Sequence, residues 1–178
     1  MLLGAFLAVN AVHTRASRTT PEPAAPTVPQ GPRLSNAFLS IDDLVNQFLI
    51  AVEANDDHAI EALRVTEAEY RDIILPGSVE PGQPAQRYRD QESEYFWGVL
   101  NGKSLYSRAV MMHAYGGKKF QLQKFDFRKG VRNWAGYKAY EKLELTLKAE
   151  DGQVIQLPTG SIAEIGGQFK FVSFIPAG

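Results

Sequence analysis

Apolar positions recur at a helical period in the first half of the chain and close to every second residue beyond about residue 117. Behind Ser40, with Asp43 in the third position after it as in a capping box, Leu44, Val45, Phe48, Leu49 and Val52 fall on one face of a helix. Asp56 or Asp57 caps a short second helix through Ala62 and Leu63, and Thr66 with Glu69 forms a full capping box for a third. That third helix carries Tyr70, Ile73 and Ile74, and Leu75-Pro76 is expected to end it. A Gly/Pro-rich loop from Pro76 to Pro84 precedes a long helix from near Asp90 to Tyr115, stopped by Gly116-Gly117. Its expected core stripe is Tyr95, Phe96, Val99, Leu100, Leu105, Val110, Met111 and Met112.

Past Gly117, Phe125 and Phe127 alternate in one strand, and Leu143, Leu145 and Leu147 alternate in another. Glu150-Asp151-Gly152-Gln153 is a hairpin turn, and Gly166-Gly167 is a second. Pro158 puts the intervening strand at an edge or a bulge, while Phe169 to Ile175 is apolar on both faces. The expected fold class is α+β: N-terminal helices packed on a curved antiparallel sheet of four or more strands.

The first residues read as an address. Leu2 to Val9 is an apolar run of eight, which as a helix reaches only about 12 Å. A spanning helix needs roughly 20 residues. The run resembles the core of an export signal, with Val9 and Ala11 as small residues before a cleavage point. Ser17 to Pro32 then holds five of the ten prolines, an extended tether. The expected organisation is 1–16 export segment, 17–37 linker and 38–178 a single domain in a periplasmic or extracellular protein; without export it would be cytoplasmic. No membrane span is expected.

Composition narrows the chemistry. With 178 residues, 19.7 kDa and no cysteine, the chain has room for one core and excludes disulfides, thiol nucleophiles and thiolate metal sites. The formal net charge of −1 hides an uneven distribution. From Lys103 to Lys138 nine bases face one acid, a local net of +8; from Asp42 to Asp72 nine acids face two arginines, a net of −7. A polyanion patch would be built from Lys118, Lys119, Arg128, Lys129 and Arg132. The alternative is that the interleaved aromatics point inward while the bases alternate outward and pair with acids.

The order of elements and two short segments resemble the nuclear transport factor two-like superfamily, the cone-shaped ketosteroid isomerase-like α+β domains. Phe48-Leu49-Ile50-Ala51-Val52, then Asp56-Asp57 and Ala62-Leu63, are similar to its first helix pair. Gly167-Gln168-Phe169-Lys170-Phe171-Val172 is similar to its last strand, with Phe169 where Trp is frequent. The resemblance covers about residues 40–175 and implies a curved sheet around an apolar pocket, with homodimers formed through the outer sheet face. It implies no single activity, since such domains include isomerases, dehydratases and proteins without catalysis.

The leading functional reading is a non-enzymatic binding domain for a small apolar ligand or a protein partner, anchored by Tyr106, His113, Trp134 and Tyr137. Arg128 to Tyr137, broken by Gly130, Asn133 and Gly136, is expected to be a loop presenting Trp134. The enzyme alternative uses His113 or Asp72 as base with Tyr106 as hydrogen-bond donor. No cofactor is called for, and nucleic acid is not an expected partner. Asp56, Asp57, His58 and Glu61 are too few and too easily explained as helix caps to hold a metal. Gly102-Lys103-Ser104 is no phosphate loop, because Trp97 stands where a glycine is required and the segment is helical. Gly160-Ser161 likewise lacks the flanking pattern of a nucleophile elbow.

Overall fold

The computed structural model describes residues 32–176. The export segment and most of the linker lie outside them. Helices come first: α1 (Ile41–Glu53), α2 (Asp57–Ala62), α3 (Glu67–Glu69), a π turn (Tyr70–Ile74), α4 (Leu75–Gly77) and α5 (Asp90–Tyr115). Seven strands follow among the described residues: β1 (Phe120–Phe127), β2 (Val131–Asn133), β3 (Lys138–Tyr140), β4 (Leu143–Ala149), β5 (Val154–Pro158), β6 (Ser161–Ile165) and β7 (Gln168–Ser173). They form antiparallel sheets ordered β1-β4-β5 and β2-β3-β6-β7.

The two sheets are one meander folded along a line. β1 runs into β2, β3 into β4 and β5 into β6, and the breaks at 128–130, 141–142 and 159–160 are neighbours in space. Arg128 and Lys129 donate to the Lys142 and Glu141 carbonyls, Leu143 donates to Gly160, and Thr159 donates back to Leu143. Lys142 takes a left-handed conformation there, with φ 61°. The four expected strands are therefore four long segments, three of them broken at the bend. Both predicted hairpin turns form, and Pro158 ends the edge strand β5 opposite Glu144.

Gly160 permits the bend. A Cβ there would lie 1.4 Å from the Ser173 carbonyl oxygen, so the chain can cross β7 only without a side chain.

Each face of the β6–β7 region meets its own core. Ile162 and Phe171 join Leu44, Val45, Phe48 and Val52 of α1, together with Leu143, Leu145 and Leu147 of β4. The alternate residues Ala163 and Ile165 turn to the other side, where Leu34, Val65 and Ile74 cover them. Leu34 is buried and Phe38 bridges to Phe169, so the packed chain starts ahead of the expected domain boundary at 38.

The caps form as the sequence predicts. Ser40 Oγ accepts from the Asp43 N–H, Asp56 from Ala59, and Thr66 and Glu69 exchange both capping-box bonds. Leu75-Pro76 does not end the third helix, which continues to Gly77 through the π turn. Proline lacks an N–H and crowds the carbonyl four residues back; a widened turn with Leu75 N–H bonded to Tyr70 O relieves that crowding.

Gly160→Ala should lower the unfolding free energy by about 3 kcal/mol. The measurement is the urea midpoint at constant slope, and a loss under about 0.5 kcal/mol would show that the crossing relaxes.

Candidate functional site

The pocket implied by the family resemblance is occupied. The rings of Phe48, Phe171 and Phe174 pack on one another between α1 and the sheet, with centroids 5.1–6.1 Å apart. Four of the surface clefts among the described residues, of about 300 to 500 Å³, all have charged walls. Asp72 stands in two of them, exposed, beside Arg71. None is lined by His113, Tyr106, Trp134 or Tyr137. His113, expected to face a cavity, is exposed on α5.

The buried charges serve architecture. Lys170 of β7 and Glu69 of α3 form an ion pair at 2.9 Å, their side chains 2% and 8% exposed. The other Glu69 oxygen accepts the Ser35 N–H and hydroxyl, while the oxygen on Lys170 also accepts the Thr66 N–H. Burial pushes the Glu69 carboxyl up, but the bonds from Thr66, Lys170 and Ser35 outweigh it and leave the group below its ordinary value. Burial pushes Lys142 down, and its ammonium donates to the Ile175 and Pro176 carbonyls.

Trp134 and Tyr137 occupy a short β2–β3 hairpin at the sheet edge rather than a free loop. Gly136 lies directly on Gly77, where a Cβ on Gly77 would come 2.9 Å from Gly136 Cα. Gly136 and Ala135 donate to the Gly77 and Val79 carbonyls, Tyr137 and Ser78 hydroxyls are 2.9 Å apart, and Arg132 pairs with Glu80. Burial raises the Tyr137 phenol above its ordinary value. The Arg132 guanidinium stacks 3.8 Å from the Trp134 ring centroid. The hairpin is strapped down.

Most of the predicted patch is also engaged. Lys119 pairs with Glu53, Arg128 with Glu144 and Arg132 with Glu80, while Lys118 donates to Ala114. Lys129 is exposed. Outside the named five, Arg108 pairs with Asp57 and Glu61 and Lys138 with Glu164. Phe120, Phe125 and Phe127 pack toward the core, because a register shift between Leu122 and Lys124 brings Phe120 onto the same face as the other two. Among the described residues no cluster of His, Asp and Glu is arranged to hold a metal, and no helix is long and apolar enough to cross a membrane.

What the chain does expose is one face of α5. Glu92 closes the helix start by accepting from the Arg89 N–H, and Gly117 takes the left-handed turn after its end. Contrary to the expected stripe, its inward face is largely polar. Ser93 accepts from Arg71, Trp97 packs on Tyr70 and Arg64, Asn101 accepts from Arg64, and Ser104 accepts from the Phe174 N–H. Arg108 reaches Glu61 and Asp57 on α2, and Glu61 also holds the buried Arg64. Of the predicted core stripe only Met111 and Met112 are buried. Tyr95, Phe96, Val99, Leu105 and Val110 are exposed, as is Tyr106 at 74%. Tyr106 and His113, seven residues apart, share this face; Trp134 and Tyr137 belong to the strapped hairpin.

Comparison with protein-family models, curated proteins and solved structures found no match.

The Glu69 carboxyl is depressed in the folded state, so its stabilisation is present above the ordinary carboxylate range and is lost as pH falls through the folded value. Glu69→Gln should cost about 3–5 kcal/mol at pH 7 by stranding the Lys170 charge. It should also flatten the stability loss between neutral pH and pH ~3. Adding Lys170→Met should recover part of the loss, and acid unfolding curves of the three proteins check this.

Proposed function

We propose that this chain is a non-catalytic binding domain that recognises a protein partner through the outer face of α5. One observation carries the reading: six large apolar side chains (Tyr95, Phe96, Val99, Leu105, Tyr106 and Val110) lie exposed on a helix whose opposite face is already engaged. A solvated apolar face of this extent marks interaction sites. Tyrosine adds a large contact area with a polar tip that suits a rim. His113 continues the face toward its C-terminal end.

The enzyme alternative has less support. His113 and Asp72 are both solvated, and the buried Glu69 is saturated by hydrogen bonds. The polyanion alternative would have to displace the acids already paired with Lys119, Arg128 and Arg132. The likeness to the nuclear transport factor two-like superfamily remains part of the proposal. It is supported by the bent antiparallel meander over α1, while the expected ligand pocket is filled by phenylalanine rings. Export, resting on Leu2 to Val9, would place the partner in the periplasm or outside the cell.

A photoreactive residue substituted for Val99 or Val110 should give light-dependent protein adducts in cells, and the same residue at exposed Val154 of β5 should not. Equal labelling at the three positions, or none on α5, would sink the reading.

A further inference from the structure

The outer face of α5 repeats in sevens. Tyr95, Val99, Gly102, Tyr106, Ala109 and His113 are spaced alternately four and three apart, and all six are exposed. Phe96, Lys103 and Val110 flank this seam on one side, with Gly98 and Leu105 on the other. Trp97, Ser104 and Met111, the positions opposite the seam, face the chain's own interior. Such a pattern is what one helix presents to another.

Two features choose the occupant. At the centre of the seam, large and small residues exchange places when it is laid antiparallel on a copy of itself with a two-fold axis level with residue 104. Tyr106 then faces Gly102 of the second copy, Val99 faces Ala109, Tyr95 faces His113, and Leu105 meets Leu105. The glycines have no role within the chain: a Cβ at Gly98 or Gly102 would touch nothing within 4 Å. In a helix interior each costs about 1 kcal/mol relative to alanine. Close approach of a second helix gives them a use.

Six apolar side chains at roughly 100 Å² each bury about 600 Å² per copy. That is the lower end of specific interfaces, about 600–1,000 Å² per partner.

We infer that the partner of the α5 face is a second copy of this chain, joined antiparallel along α5 with Tyr106 seated over Gly102. The inference rests on the reading of α5 as a binding face and names what binds there. The outer sheet surface, through which the family resemblance implies pairing, is not used.

The test uses the purified full chain. Sedimentation equilibrium should give twice the 19.7 kDa mass at micromolar concentrations. Tyr106→Glu should raise the dissociation constant at least tenfold while leaving the circular dichroism spectrum and urea midpoint of the monomer unchanged. Because the chain has no cysteine, Leu105→Cys should oxidise to a cross-linked dimer, while Tyr95→Cys should not. Cross-linking of the Tyr95→Cys variant and not of the Leu105→Cys variant would mean parallel pairing and overturn the geometry. A chain monomeric at about 100 μM that still gives α5 adducts in cells would overturn the second copy and leave the binding face to a different protein. If the Leu105→Cys variant were monomeric at full length and cross-linked only after deletion of residues 1–31, the chain's own N-terminal segment would be the occupant and the proposal would fall. Absence of both dimer and adducts would remove both readings.

Discussion

Lys170 is a charge in the middle of β7, and the arrangement around it depends on Glu69. A one-residue slip of β7 would carry that ammonium from the second core into the phenylalanine rings of the first, where no carboxylate waits. The pair therefore fixes which face of the strand turns to which layer. The attraction of a buried pair is largely offset by the desolvation of its two ions, so its main consequence is register rather than net stability. The same carboxylate binds Ser35 and Thr66. The start of the folded chain, the cap of α3 and the last strand thus converge on one group.

With β7 held in register, both faces of its sheet are covered, by α1 on one side and by the segment from α3 to α4 on the other. No face of that sheet remains for α5 to cover with an ordinary apolar stripe. It is attached through polar contacts: Arg64 on Trp97 and Asn101, Arg108 on Asp57 and Glu61, and the Phe174 N–H on Ser104. Met111 and Met112 reach the first core, while six large apolar residues of the helix are left on its outside.

Much of this was legible from local chemistry. Ser40, Asp56 and the Thr66–Glu69 box cap the helices they were expected to cap. The limits of α5, both hairpin turns and the alternation of Leu143, Leu145 and Leu147 depend on neighbouring residues alone. What escaped the sequence depended on contacts between distant segments. Periodicity identifies α5 as a helix, but apolar residues occur on more than one side of it. Choosing the buried face required knowing that Arg64 and Arg108 would meet Trp97 and Glu61. Lys170 inside an otherwise apolar strand was the visible sign of a buried pair, and its partner lies 101 residues away. The basic stretch read as a patch because its acids come from α1, α2, the loop after α4, β4 and β6. Arg128 to Tyr137 read as a loop because its glycines mask two short strands.

The Gly77–Gly136 contact closes a ring in the chain. The neighbouring Ser78–Tyr137 hydrogen bond joins residues 59 apart, and everything between them, including all of α5, becomes an arc tied at both ends. Closing a ring of that length costs chain entropy, which the contacts of the completed strap offset. The crossing ties the segment that leads into the helix to the hairpin that follows β1. The long helix is then a stave held in a hoop: its outer side can stay wet and apolar without the helix peeling off to hide it.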